Sequence, residues 1–142
     1  MTTLFELRKV PQDFPNTKIT DSRSSADFIR NFYSDDIEIY ESFFILTMNA
    51  NLQTTGYAKI SQGGVMGTVV DVKILAKYAV DALACSVILA HNHPSGNLKP
   101  SKQDIDLTRK VTHALSFLDI KVLDHIIITK DSHYSLSDNL EM

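Results

Sequence analysis

The stretch that decides the fold of this chain is CSVILAHNHPSGNLKPSKQD, residues 85–104. Its first part, residues 85–91, is a short apolar run of the kind that forms a buried β-strand. Its last part places Ser101 where a helix begins, since serine is a favoured N-cap residue. The prolines and glycine between them indicate a loop. The stretch therefore predicts a strand, a loop and a helix, with polar side chains gathered where they meet.

The segments on either side extend this pattern to the rest of the chain. Residues 22–33 carry apolar side chains at helical spacing, with Ser24 or Ser25 as the expected N-cap. Residues 39–49 are rich in aromatic and β-branched side chains, which predicts a strand, and residues 52–61 are its expected antiparallel partner. Further predicted elements are a short strand over 68–70, a helix capped by Asp71, a helix from 101, and strands over 121–129 and 133–138.

This order of elements predicts an α/β (α+β) fold with a single mixed β-sheet flanked by helices. Residues 1–20 lack periodicity and contain two prolines, so we expect an extended N-terminal arm or linker there. Residues 21–142 are then one domain, a size at which a chain can bury a sizeable core.

Composition and charge narrow the class of protein. The net charge is −3 and the pI about 5.9, which argues against a dedicated duplex-DNA binder. No apolar run approaches the ~20 residues that span a bilayer, and no signal peptide is recognisable at the N-terminus, so a cytoplasmic location and no membrane contact are expected. The single cysteine, Cys85, precedes an apolar run and is expected to be buried in a strand.

Two histidines and an aspartate have the spacing of a metal site. Positions i and i+2 of a strand project to the same side, so His91 and His93 can reach one ion. Asp104 falls in the first turn of the following helix, where a carboxylate is favoured. Two imidazoles and a carboxylate leave one tetrahedral position on zinc for water. The alternatives are a hydrogen-bonded core histidine at position 91 and a plain helix cap formed by Ser101 and Asp104, which is compatible with metal binding.

The spacing His91-x-His93-x7-Ser101-x2-Asp104 resembles the signature of the JAMM (JAB/MPN+) metalloproteases. The longer form HNHPSGNLKPSKQD, with IDLTRK and LDHIII after it, is similar to the RadC branch of that superfamily over about residues 20–140. This resemblance implies a JAB/MPN-like fold with cytidine-deaminase-like layering. It also implies a Zn²⁺ ion held by His91, His93 and Asp104, and hydrolysis of a peptide or isopeptide bond.

The resemblance also implies a glutamate from an earlier strand as the general acid/base. Strand alternation does not choose between Glu38 and Glu41, whereas the family pattern places the glutamate just before the apolar SFFIL run and so matches Glu41. Ser101 is expected to donate a hydrogen bond to the oxyanion of the reaction. Possible supporting residues are Ser95, Asp124 and His125, for which a turn, a strand entry and an ordinary core histidine are the alternatives.

Three functions follow from these observations. The first is a zinc metallopeptidase-like hydrolase whose peptide or protein substrate the sequence does not name. The second is a DNA-repair-associated protein acting on or near DNA, which the family label suggests and the charge does not. RadC-type proteins often carry an N-terminal helix-hairpin-helix segment, and residues 1–20 are too short to hold one. The third is a non-catalytic interaction module. The oligomeric state is not indicated.

Overall fold

A computed structural model describes residues 1–5, 10, 12 and 14–142. The helices and strands follow one another along the chain as α1 (Ser22–Ile29), β1 (Ser42–Met48), β2 (Thr54–Gln62), α2 (Val72–Asp81), β3 (Ser86–Asn92), α3 (Lys102–Ser116), β4 (Lys121–Ile128) and β5 (His133–Ser135). Two short 3-10 helices, Arg30–Phe32 and Asp35–Glu38, connect α1 to β1.

The strands form one mixed five-stranded sheet in the order β2-β1-β3-β4-β5. β1 is antiparallel to both β2 and β3, β4 is parallel to β3, and β5 is antiparallel to β4. The parallel pair needs a crossover connection, and α3 supplies it. The predicted fold, a single mixed sheet with helices against it, is confirmed.

Helices cover both faces of the sheet, so its central strands are apolar on both sides. On one face the side chains of β1 and β3 pack with those of α2 and α3, in a cluster that includes Phe43, Ile45, Leu75, Leu89, Val111 and Leu115. On the other face they pack with α1, in a cluster that includes Ile29, Phe44, Leu46, Ile88, Ala90 and Ile126. This double burial explains the continuous apolar runs in the sequence.

Three local predictions were wrong. The N-cap of α1 is Asp21, not Ser24 or Ser25: the Asp21 carboxylate accepts from Ser24 N at 2.7 Å, and Ser24 Oγ accepts from Asp21 N at 3.1 Å. Residues 68–70 form no strand, because they lie between the Gly64–Gly67 bridge and the cap of α2. Cys85 is exposed, because it precedes β3 and only Ser86 begins the buried strand.

The predicted arm, residues 1–20, is partly described: residues 6–9, 11 and 13 lie outside the described residues. Its last part contacts the domain. Thr54 N donates to Thr17 O at 2.9 Å, Ile19 is buried, and the Phe14 ring stacks on Tyr57. The domain boundary at residue 20 stays a prediction. In the described part of the chain, no helix is long and apolar enough to cross a membrane.

Candidate metal centre

The polar residues singled out in the sequence meet at one end of the central strands. β1 and β3 are antiparallel, and Phe43 pairs with His91, so the residue before β1, Glu41, lies beside the end of β3. The chain beyond β3 places His93 next to His91, and the first turn of α3 brings Asp104 against both histidines. Three separate segments thus contribute to one cluster.

The distances within this cluster suit a small metal ion. Nε2 of His91 and Nε2 of His93 are 2.9 Å apart. Asp104 Oδ1 is 3.3 Å from Nε2 of His91, and Oδ2 is 3.4 Å from Nε2 of His93. Ligand atoms about 2.0–2.2 Å from a tetrahedral zinc ion are separated by roughly 3.4 Å. The two Asp104 contacts, each through a different carboxylate oxygen, have this length, and the separation of the two Nε2 atoms is shorter. The residue types and most of the distances are compatible with a metal ion such as zinc.

A second carboxylate, that of Glu41, lies further from the two histidines than the Asp104 carboxylate does. Glu41, His91 and His93 can also be grouped as a possible metal site, because their ligand atoms lie within 4.8 Å of one another. The nearest Glu41 contact to a histidine nitrogen, from Oε1 to His93 Nε2, is 4.0 Å. Asp104 is closer to both histidines. Asp104 is therefore the nearer candidate for the third ligand, and Glu41 lies beside it.

A chain of buried hydrogen bonds sets the tautomer of His91. The Thr108 hydroxyl donates to Asp104 O at 2.6 Å, so its oxygen accepts from Nδ1–H of His125, also at 2.6 Å. Burial, with the nearby His91, lowers the pKa of His125 well below its ordinary value, so its Nε2 carries no proton. That Nε2 accepts from Nδ1–H of His91 at 2.7 Å. Nε2 of neutral His91 therefore presents a lone pair to the cluster.

His93 is oriented in the same way by a different partner. Its Nδ1 lies 2.6 Å from Asn97 O, and because a carbonyl oxygen only accepts, Nδ1 carries the hydrogen. Nε2 of neutral His93 then also points a lone pair inward, toward that of His91 and the Asp104 carboxylate. Three lone-pair donors that converge at 2.9–3.4 Å repel one another unless a cation lies between them.

The pKa values of the cluster reflect this need for a positive charge. Burial by itself lowers the pKa of His93, but its hydrogen bonds to Asp104 and Asn97 O outweigh burial and raise it. Burial by itself raises the pKa of Asp104, but His91 and His93 hold it well below its usual range. The raised pKa of His93 and the lowered pKa of Asp104 both favour a positive charge next to an ionised Asp104 carboxylate.

Ser101 fixes the Asp104 carboxylate. The Ser101 hydroxyl oxygen accepts from Asp104 N at 3.0 Å, and Ser101 N donates to Asp104 Oδ2 at 2.8 Å, which is a capping box. The predicted helix cap is confirmed and coexists with the cluster. The hydroxyl oxygen uses a lone pair in this bond, which leaves its hydrogen for another acceptor. The role of Ser101 toward an oxyanion stays a prediction.

A cleft of about 900 Å³ opens over the cluster. Glu41, His93, Ser101 and Asp104 all line it. One wall comes from the loop after β2, where Met66 is 98% and Val69 90% exposed. The lining also contains polar and basic side chains of the loop after β3, among them Ser95, Asn97 and Lys99. The cleft gives a solvent-borne molecule access to Glu41 and His93.

Two other predicted site residues have local partners. Ser95 Oγ accepts from Asn97 N at 3.3 Å, as in a turn, although Ser95 also lines the cleft. The buried Asp124 carboxylate accepts from Ser135 Oγ at 2.6 Å and from Ser137 N at 3.0 Å. Asp124 thereby ties the segment after β4 to the sheet, and burial raises its pKa. Of the predicted supporting residues, His125 is the one bonded to a proposed metal ligand.

The two glutamates of this region lie in different surroundings. Glu38 lies in a 3-10 helix and approaches Lys130 Nζ at 3.6 Å, with more than half of its side chain exposed. Glu41 lies in the cleft. Sequence reasoning missed Thr108, whose position four residues after Asp104 places both on one face of α3, where it could have been sought.

Comparison with known proteins gives the family of this chain. The model of the family described as "RadC-like JAB domain" matches residues 19–141, so the chain belongs to that family. A UPF0758 protein of Flavobacterium johnsoniae is 42% identical over 99 residues, which is 70% of this chain and 43% of the relative. A UPF0758 protein of Porphyromonas gingivalis is 40% identical over 129 residues, 89% of this chain and 56% of the relative.

A more distant relative is a UPF0758 protein of Acinetobacter baylyi, 32% identical over 120 residues, 84% of this chain and 44% of the relative. The chain thus spans about half the length of these relatives. The names of these relatives assign no reaction. The shared family is compatible with a hydrolase.

Proposed function

We propose that this chain is a zinc-dependent hydrolase that cleaves a peptide or isopeptide bond. The observation that carries the proposal is the convergence of two histidine Nε2 lone pairs and an ionised carboxylate, with a second carboxylate beside them at the floor of an open cleft. A donor set of two nitrogens and one oxygen, with room for a further ligand, is typical of catalytic rather than structural zinc.

His91, His93 and Asp104 would hold the ion. When bound, zinc lowers the pKa of a coordinated water and polarises the carbonyl of a substrate. The neighbouring Glu41 carboxylate takes up a proton from the attacking water and delivers it to the amine nitrogen as the carbon–nitrogen bond breaks. Glu41 passes on the proton that it receives, so it is ionised again at the end of the cycle.

The Ser101 hydroxyl is the chain's own candidate donor to the substrate carbonyl oxygen. Its oxygen is held by the helix cap, and its hydrogen is free to point into the cleft. A donor held in advance at the position of the developing negative charge stabilises the transition state without reorganisation. Ser101 would therefore act in two ways, by holding Asp104 and by contacting the reacting group.

The substrate in this proposal is a polypeptide segment that reaches the cleft. The apolar side chains and Lys99 of the cleft lining suit a chain of mixed character, and the acidic net charge of −3 favours protein over nucleic acid. The cytoplasm is part of the proposal, since one unpaired cysteine suits a reducing compartment.

The test combines metal analysis with a substrate screen. Protein purified without chelators should contain about one zinc per chain, and His91→Ala should lose it. Peptide, isopeptide and single-stranded DNA probes are then offered with and without chelator. Glu41→Gln should keep zinc and lose hydrolysis by roughly 10²-fold or more, while the matched variant Glu38→Gln keeps both.

The outcomes separate the three functions. Chelator-sensitive cleavage of a peptide or isopeptide probe supports the proposal. Chelator-sensitive cleavage of DNA alone would transfer the site to the DNA-associated alternative. Protein without zinc, or full hydrolysis by Glu41→Gln, would reject the mechanism, and zinc binding with no cleavage of any probe would favour the interaction module.

A further inference from the structure

Asn92 stands between the two histidines of the cluster but does not face it. Neighbouring residues of a strand project to opposite faces, so the Asn92 side chain lies on the far side of β3 from His91. It is 0% exposed. A buried primary amide must place its hydrogens and its oxygen against partners, because an unpaired polar group costs free energy inside a protein.

The partners of this amide all lie in the segment that carries Glu41. Asn92 Nδ2 donates to Ile37 O at 2.7 Å and to Tyr40 O at 2.8 Å. Asn92 Oδ1 accepts from Ser42 N at 2.8 Å. Both amide hydrogens and the amide oxygen are therefore hydrogen-bonded to one backbone segment, which includes the residues immediately before and after Glu41.

The backbone at Glu41 lies outside the pairing of β1 with β3. The pairing of β1 with β3 ends at Phe43 and His91, and β1 itself begins at Ser42, so Glu41 lies just beyond the sheet. On its other side, Glu41 N donates to Gly64 O at 3.1 Å and Gly63 N donates to Glu41 O at 2.9 Å. On the β3 side, the hydrogen bonds of the Asn92 side chain fix the backbone around Glu41.

We propose that Asn92 is a positioning residue for Glu41: its side-chain amide fixes the backbone on both sides of Glu41 and so holds the Glu41 carboxylate beside the two histidines. The inference rests on the proposed function for its catalytic meaning, but the positioning itself concerns this chain's own atoms. It also links the general base to the metal ligands through a single residue, because Asn92 shares β3 with His91.

The alternative is an ordinary buried asparagine that stabilises the fold without acting on Glu41. A test must therefore report on the Glu41 side chain itself. The chain has only four glutamates, so a spectrum of protein labelled with carboxyl-¹³C glutamate is simple, and Glu41→Gln assigns the Glu41 signal. The signal's position and width report the environment and order of that carboxylate.

Asn92→Leu removes all three hydrogen bonds at similar volume, and Asn92→Ser is a milder variant in case the first does not fold. Thr47→Val is the matched control: Thr47 is also buried and polar, and its hydroxyl contacts Thr55 and Gly56 near the opposite end of β1. We expect the Asn92 variants to keep one zinc per chain, to shift and broaden the Glu41 signal, and to hydrolyse a peptide probe roughly 10²-fold more slowly. Thr47→Val should lose stability alone.

The wild-type protein provides a measurement that needs no variant. Both hydrogens of the Asn92 side-chain amide are bonded, so they should exchange with solvent far more slowly than those of exposed asparagines. Fast exchange would overturn the proposal, as would an unshifted Glu41 signal in a folded Asn92 variant. If Glu41→Gln retains hydrolysis, the proposed function fails while the labelled spectrum still decides whether Asn92 positions Glu41.

Discussion

Replacing Thr108 by valine tests whether the buried hydrogen-bond chain prepares His91 for metal. Valine keeps the shape of threonine but cannot accept from Nδ1–H of His125. If His91 is to bind zinc through Nε2, its own Nδ1–H must still donate to His125, and the His125 Nδ1–H is then left unpaired in a fully buried position. The zinc-bound state is therefore destabilised in this variant.

The size of the effect follows from the burial of that group. A buried donor without a partner costs about 1–3 kcal/mol. Where this cost falls on the bound state, it corresponds to a roughly 5- to 140-fold weaker affinity for zinc, since about 1.4 kcal/mol is a factor of ten. Residues that support metal ligands in this way usually contribute a factor of about 10–100.

The assay is a competition titration of zinc between the protein and a chelator at near-neutral pH. Thr112→Val is the matched control, because Thr112 lies one turn further along α3 and its hydroxyl donates to Thr108 O at 2.7 Å without contacting a histidine. We expect Thr112→Val to bind zinc like the wild type. A folded Thr108→Val protein with wild-type zinc affinity would refute the tautomer argument.

Three further predictions concern stability and metal binding. In the chelated protein, the raised pKa of His93 stabilises the fold fully below pH ~6.5, and this stabilisation is lost as the pH rises through the folded-state pKa of His93. The urea midpoint of unfolding should therefore fall as the pH is raised above ~6.5, and a rise in the midpoint would contradict this. Zinc-loaded protein should not show this fall, because a His93 side chain that binds zinc through Nε2 cannot take up a proton there. Ser101→Ala should lower the free energy of unfolding of the chelated protein by ~1 kcal/mol through loss of the cap, and an unchanged denaturant midpoint would dismiss that role. Asp104→Asn retains a capping side chain but removes the negative charge, so it should fold and lose zinc, as measured by metal content; full zinc occupancy would leave Glu41 as the third ligand.

Local sequence patterns predicted most of the fold and three residues of the cluster. The patterns that predict β3 and α3 are an apolar run, a serine N-cap and helical spacing after it. Each of these patterns depends only on residues that are close together in the sequence. His91, His93 and Asp104 belong to this same stretch, so their spacing in the sequence was enough to predict that they lie close together. The wrong predictions at Ser24 or Ser25 and at Cys85 concerned only where an element begins.

Only the tertiary structure decided which distant residues join them. Glu38 and Glu41 are equivalent in strand alternation, and the pairing of Phe43 with His91 placed Glu41 at the cluster. Thr108 and His125 are brought together because α3 packs beside β4, and Asn92 finds its partners in the segment that leads into the neighbouring strand β1. The sequence by itself determined the spacing of the proposed metal ligands, which is local. The register of the sheet placed the proposed acid/base and its supporting residues, because long-range pairing is a property of the whole packed core.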